Sequence, residues 1–172
     1  VPCISGHAGS PGVPGLPACP LMHGTGWFTA NLYLTTGGSV VLLEDRHLDV
    51  EELLDTIQRE KVGALTIVGD AFAKPILRVL DANEGRWDLS SLVIVTSSGV
   101  MWSEAAKQGL LRHNPGMLLI DSFSSSEAIG LGQSVSSAGA EEKTAHFALG
   151  AGAKVLTDDG RAVEPGSGER GR

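Results

Sequence analysis

Ala64-Leu-Thr-Ile-Val68, Leu92-Val-Ile-Val-Thr96 and Met117-Leu-Leu-Ile120 are three short apolar runs separated by two segments of helical spacing, Asp70–Ala82 and Ser103–His113. Runs this short, rich in β-branched residues and bounded by polar or glycine-containing links, read as strands buried on both faces. Ser103 followed by Glu104 starts the second helix, and Asn114-Pro115-Gly116 stops it. Pro75 either starts the regular part of the first helix or kinks it. Strand, helix, strand, helix, strand with short links is the pattern of a parallel sheet with right-handed crossovers.

Working towards the N-terminus, Asp49 caps a helix that runs to about Lys61. Val50, Leu53, Leu54 and Ile57 make its apolar face, and Glu51 and Glu52 favour its first turn. Ser39–Glu44 reads as a strand, Thr25–Thr36 as a helix ended by Gly37-Gly38, and Leu16–Met22 as an edge or irregular strand broken by Pro17 and Pro20. Towards the C-terminus, Lys154–Thr157 and Arg161–Val163 flank Asp158-Asp159-Gly160 as a hairpin. The expected fold class is therefore α/β: a mostly parallel sheet with helices on both faces, built of βαβ repeats, with irregular termini and a C-terminal β-hairpin. Nine of the first twenty residues, and seven from Gly150 onward, are Gly or Pro. Residues 1–15 thus read as an irregular segment, 16–150 as the α/β unit, and 151–172 as the hairpin and the truncated start of a further unit.

Composition narrows the function. The 172 residues are 42% hydrophobic and 19% charged, which excludes a disordered chain. A net charge of −7 argues against a nucleic-acid binder or a protein held on an anionic membrane surface. No apolar run reaches the ~18 residues of a membrane span. Cys3 and Cys19 have neither zinc-ligand nor disulfide-framework spacing, so a reducing cytoplasm is the expected location.

Ligands of such sheets sit beyond the carboxyl ends of the strands, which singles out three loops. Asp121-Ser-Phe-Ser-Ser-Ser-Glu127 offers hydroxyls for phosphate oxygens, a ring for a base and a carboxylate for Mg²⁺. The plainer reading is a helix start capped by Ser124 or Ser125, with Glu127 in its first turn. In Ser97-Ser-Gly-Val-Met-Trp-Ser103, Gly99 lets the backbone approach a ligand, or the segment is only a strand-to-helix turn. In Met22-His-Gly-Thr-Gly26, His23 faces a substrate carboxylate or merely bonds a backbone carbonyl.

Taken together, the segments Pro20–Trp27 (PLMHGTGW), Val68–Pro75 (VGDAFAKP), Trp87–Leu92 (WDLSSL), Ser97–Leu111, Asp121–Gly130 (DSFSSSEAIG) and Thr157–Arg172 resemble the adenylate-forming superfamily. Within it they are most similar to actinobacterial fatty-acyl-CoA synthetases of the FadD type, over roughly Leu16 to Arg172. That resemblance implies a ligase that activates a fatty or steroid-side-chain acid with ATP as an acyl-adenylate and passes it to coenzyme A. It makes 16–150 the acyl- and adenylate-binding unit. It also implies roles for individual residues. Phe123 lies against adenine with Ser122 and Ser124 beside it, and Ser98, Gly99 and Val100 line the adenine pocket. Ser126 meets the α-phosphate, Glu127 holds Mg²⁺, and His23 sits near the reacting carboxylate. Gly24, Thr25, Gly69 and Asp70 fall where the family lines its acyl pocket.

Three departures accompany the match. Ser124 stands where the family's loop usually has Gly, at a cost of about 1 kcal/mol if the position needs positive φ. Ile4–Pro11 copies only the glycine and proline spacing of the family's phosphate loop, without its threonines and lysine. The family's ribose-binding Asp and adenylation Lys would fall beyond Arg172. The expectation is thus an internal piece of the N-terminal domain, inactive alone, whose uncovered apolar surface drives homo-oligomerisation. Two alternatives stand beside it. One is half of a dinucleotide-binding oxidoreductase, in which Gly24-x-Gly26 and Glu44 imitate a Rossmann pattern; the other is a non-catalytic scaffold.

Overall fold

The computed structural model describes residues 12–140 and 146–171. In chain order these form β1 (Pro14–Pro17), α1 (Gly24–Thr35), β2 (Ser39–Val40), α2 (Val50–Glu60), β3 (Ala64–Ile67) and α3 (Gly69–Ala82). There follow β4 (Ile94–Ser98), α4 (Glu104–His113), β5 (Leu118–Phe123), β6 (Gly132–Ser136) and β7 (Ala148–Leu149). One sheet of order β2-β1-β3-β4-β5-β6-β7 contains all the strands. Pairing is parallel from β2 through β5 and antiparallel where β6 joins β5 and β7 joins β6. The expected α/β class is what forms.

Helices α2 and α4 are delimited as their sequence dictates. Asp49 accepts from the backbone N–H groups of Glu51 and Glu52, and Lys61 ends α2 in the left-handed region at φ +50°. Ser103 Oγ accepts from Ala106 N–H at the start of α4. Pro75 lies inside α3 rather than at its start. Helices α2, α3 and α4 cover one face of the sheet. There Leu53, Leu54 and Ile57 of α2 meet Ile76, Leu80 and Leu110 of the next two helices over Leu65, Ile67, Val95 and Leu119 of the strands. Among the described residues the other face carries α1 alone, seated by Tyr33 against Ala64 and Ile94, with the Tyr33 hydroxyl 2.6 Å from Thr66 Oγ1. The buried residues of α1 are Gly26, Ala30 and Tyr33, while Trp27 and Leu34 are exposed.

Several boundaries differ from expectation. The first strand is Pro14–Pro17, not Leu16–Met22. It starts inside the segment expected to be irregular, and Cys19–Met22 turns instead, His23 N–H donating to Pro20 O. Ser39–Glu44 contracts to two paired residues at the sheet edge: Val41 N–H still donates to Gly15 O, but the next donor from β1 would be Pro17, which has no N–H. The fifth strand is longer than expected, so Asp121, Ser122 and Phe123 are strand residues rather than loop. No helix follows them. The chain returns as β6, so neither Ser124 nor Ser125 caps a helix. The C-terminal hairpin reduces to the single bridge Leu156–Ala162, closed by Thr157 N–H donating to Arg161 O. Ile4–Pro11 lies outside the described residues.

Candidate active site

The three loops meet at the carboxyl ends of β1, β4 and β5. Parallel register sets the height of two of them: Ser97 pairs with Asp121 and Ser98 with Ser122, so β4 and β5 leave the sheet together. Gly99 turns there at φ +91°, and a Cβ on it would lie 3.3 Å from Cε1 and 3.6 Å from Nε2 of His23. Glycine is needed here on both counts: the backbone conformation is one that L side chains rarely adopt, and the imidazole is close against it. The first and fourth strands' loops therefore touch, although β3 lies between their strands.

Two hollows share this rim. The larger, of about 800 Å³, lies on the α1 side of the sheet. Its polar end is made by His23, Gly24 and Thr25 with Ser98, Gly99, Ser122, Ser124 and Ser126. Its apolar part follows the length of α1 through Phe28 and Leu32, with Ile129 opposite. The smaller, of about 330 Å³, lies beyond Gly99 and is lined by Val100, Met101, Asp121, Phe123 and Phe147 together with Ser98, Gly99, Ser122 and Ser124. Phe123 and Phe147 face each other with ring centroids 5.8 Å apart.

His23 has two jobs with one geometry. Its Nδ1 accepts the Thr25 N–H at 3.2 Å as the N-cap of α1. An accepting Nδ1 leaves the proton of a neutral imidazole on Nε2, the atom turned towards Gly99. The ring thus reaches the rim as a hydrogen-bond donor.

The Ser124–Gly130 loop is held by its own serines. Ser124 Oγ accepts from Gly130 N–H at 3.0 Å and Ser125 Oγ from Ala128 N–H at 3.2 Å. The Ser126 hydroxyl makes no hydrogen bond among the described residues and lines the larger hollow. Among the described residues Lys61 is the only non-glycine with positive φ. Ser124 therefore carries no left-handed strain, and the family's usual glycine is dispensable at this position.

Gly69 and Asp70 were expected in the acyl pocket, but they line neither hollow. They fasten the Gly99–Trp102 loop from behind. Val68 provides no side-chain cap to α3; instead the buried Ser97 Oγ accepts the Gly69 N–H at 2.8 Å from the neighbouring strand. Gly69 sits at φ +51°, where a Cβ would run into the carbonyl oxygens of Met101 and Val100. Asp70 N–H donates to Met101 O, and its carboxylate accepts from Ser103 N–H and Ser103 Oγ. Burial pushes that carboxyl up, but the Ser103 backbone N–H, Lys74 at 2.9 Å and the Ser103 hydroxyl outweigh it and hold it below the ordinary carboxylate range. Glu127 is exposed on the loop and lines neither hollow. Val100 belongs to the smaller hollow only.

Several lining residues carry no signal in the sequence as candidates, among them Phe28, Leu32, Met101, Asp121 and Phe147. Asp121 was grouped with the loop; strand alternation after Leu119 would have placed it on the α4 side of the sheet. Phe147 reaches the site only through β6 and β7, whose pairing no local pattern announced.

An open, mostly parallel sheet whose strand ends enclose a two-part hollow defines a ligand-binding α/β unit, and residues 14–171 match the family model of the AMP-binding enzymes. The chain belongs to that family. It is 34% identical over 160 residues to the medium-chain acyl-CoA ligase Mig of Mycobacterium avium, covering 92% of this chain and 28% of that protein. It is 32% identical over 174 residues to the 3-oxocholest-4-en-26-oate–CoA ligase of Rhodococcus rhodochrous, covering 95% and 30%. The chain thus spans less than a third of the length of the curated relatives it matches. In structure it is similar to a long-chain-fatty-acid-CoA ligase from Archaeoglobus fulgidus, with a TM-score of 0.68, 18% identity, and coverage of 90% of this chain and 32% of that one. The oxidoreductase alternative has no support: Gly24-x-Gly26 is the first turn of α1, and Glu44 lies past the end of β2.

Proposed function

We propose that this chain forms the acyl- and adenylate-binding part of an ATP-dependent acyl-CoA ligase, an acid–thiol ligase of lipid metabolism. In that reaction a carboxylate oxygen of the acid attacks the α-phosphorus of ATP, forming the acyl-adenylate and releasing pyrophosphate. The sulfur of coenzyme A then attacks the acyl carbon, and AMP leaves. The observation that carries this reading is the shared rim: His23, Gly99 and the Ser122–Ser126 hydroxyls border a larger apolar hollow on one side and a smaller aromatic one on the other.

The acyl chain then lies along α1, against Gly24, Thr25, Phe28 and Leu32. Its carboxylate is at the rim, where His23 Nε2–H donates to it. Adenine lies in the smaller hollow against Phe123, bounded by Ser98, Gly99 and Val100. The α-phosphate falls between them, where the Ser126 hydroxyl donates to a non-bridging oxygen. Such a step is mostly positioning and charge stabilisation, which hydroxyls and one imidazole at a converging rim supply. Mg²⁺ is commonly held by one or two carboxylates together with substrate phosphates. Glu127, an exposed carboxylate on the Ser126 loop, fits that requirement, and the ion would neutralise phosphate charge. The hollow along α1 suits a medium or long acyl chain or a bulkier steroid side-chain acid. Dependence on ATP and coenzyme A supports a cytoplasmic reaction. No helix among the described residues is long and apolar enough to cross a membrane. Exposed Trp27 and Leu34 support self-association, which sedimentation reads directly.

Calorimetry with a dodecanoyl-sulfamoyl-adenosine, a stable mimic of the acyl-adenylate, tests the reading. Binding is expected, weakened at least tenfold in Phe123→Ala and in Ser126→Ala. Absence of heat at high protein concentration would leave only the scaffold.

A further inference from the structure

The loop that joins β4 to α4 is held by more contacts than a helix start requires. Ser103 caps α4 with its own side chain, Oγ accepting from Ala106 N–H. The remaining contacts come from the first two residues of α3 and fall on the loop itself. Gly69, at φ +51°, packs its backbone directly on the carbonyl groups of Val100 and Met101, with no side chain between. Its N–H is held by the buried Ser97 Oγ on β4. Asp70 N–H donates to Met101 O at 3.1 Å, and Asp70 Oδ1 accepts both the Ser103 N–H at 2.9 Å and the Ser103 hydroxyl at 3.0 Å. The other carboxylate oxygen, Oδ2, is 2.9 Å from Lys74 Nζ one turn further along α3. The carboxylate is thus fixed at both oxygens. Between the gripped residues stands Gly99, which lines both hollows and has His23 Cε1 close against it. Val100 and Met101 line the smaller hollow.

We propose that Asp70 is a positioning residue for the ligand site: from α3 it fixes the Gly99–Trp102 loop, the wall shared by the two hollows, and so sets the affinity for an acyl-adenylate that it does not touch. This rests on the reading of the two hollows as the acyl and adenylate sites. Capping does not account for the arrangement, because without Asp70 the Ser103 hydroxyl still accepts from Ala106 N–H. The bond to Met101 O and the seat of Gly69 against two loop carbonyls add nothing to α4; they act only on the loop. A wall that turns at a glycine has no side chain to swing towards a ligand, and glycine leaves its backbone many conformations. Its place is therefore decided by what lies behind it, and a misplacement of about 1 Å caused far from the chemistry can cost about a hundredfold. Hydrogen-bond geometry at Oδ1 is what matters here, and an amide oxygen accepts there as well.

The experiment measures the affinity of the dodecanoyl-sulfamoyl-adenosine for the whole chain by calorimetry, per folded molecule. The His23 Cε1–H proton resonance of each free protein is recorded by NMR, since Gly99 lies against that atom. Asp70→Ala is expected to weaken binding at least fivefold and to shift the His23 resonance. Asp70→Asn, which keeps an acceptor at Oδ1, is expected to bind within about twofold of the wild type, and Ser103→Ala to fall between the two. Leu53→Ala, a destabilised control remote from the loop, is expected to keep both the affinity and the resonance, so that loss of stability alone does not imitate the effect. A folded Asp70→Ala with wild-type affinity overturns the inference and leaves the site standing; if that variant does not fold, wild-type affinity in Ser103→Ala does the same. An equal loss of affinity in Leu53→Ala also overturns it. A wild type that binds no mimic overturns the proposed function, and the His23 resonance then decides the positioning role by itself: unmoved in Asp70→Ala, or in Ser103→Ala where the former does not fold, it overturns that role too.

Discussion

The two faces of the sheet are made by the same strands and do opposite things. On β4, Val95 and Ser97 point to the three-helix side and are buried; Thr96 and Ser98 point to the α1 side and line the larger hollow. On β5, Leu119 enters the core while Ser122 reaches the rim. Three helices close one face and α1 covers only part of the other, because among the described residues α1 is the only helix to cross on that side. The difference teaches that, along β4, a single residue of strand register separates a core position from one that lines the larger hollow.

Substitutions can break or sharpen that separation. The largest effect is expected at the packed face. Leu53→Ala removes a fully buried side chain of α2 and should cost about 3 kcal/mol in urea unfolding, within the usual range for such truncations. Affinity for the acyl-adenylate mimic, per folded molecule, should be unchanged; a parallel loss of affinity would merge the two faces. Phe123→Ala is the converse. The ring is 53% exposed, so melting should move little, while base stacking worth about 1–3 kcal/mol is lost from binding.

Asp70→Asn acts at the junction of α3 and α4 and should cost about 1 kcal/mol near neutral pH, the Lys74 pair being largely screened. Since its carboxyl is held below the ordinary range in the folded chain, the charged form contributes fully above the unfolded pKa. That contribution fades as pH falls below about 4, through the folded value. Melting curves of wild type and variant should therefore converge in acid; a constant gap down to pH 2 would contradict the assignment. Ser124→Gly is the smallest. With no positive φ to relieve, it only loosens the loop and removes the bond to Gly130, so a destabilisation of about 0.5 kcal/mol is expected. A gain in melting temperature would show that the backbone here is strained after all.

Much of the molecule was legible along the chain. Asp49 and Ser103 fixed helix starts because a capping side chain acts within three residues. The runs at Ala64, Leu92 and Met117 declared buried strands because both their faces are apolar. The three candidate loops were legible because parallel strands present their carboxyl ends on one rim, whatever element follows. What misled was short apolar sequence whose fate depends on partners. Leu42 and Leu43 look like strand, but the neighbouring β1 closes on Pro17, which has no N–H to donate, and the serines after Phe123 look like a helix cap but precede a returning antiparallel strand.

Composition, capping and apolar spacing by themselves determined an α/β chain, its helix starts and the three loops that could hold a ligand, since each of these is set within a few residues. Tertiary structure alone decided that Gly69 and Asp70 brace a loop instead of lining a pocket, that Phe147 faces Phe123, and that Lys107 finds Asp121. Such contacts join residues distant in sequence, and their energies depend on strand order, register and burial, none of which a local pattern encodes.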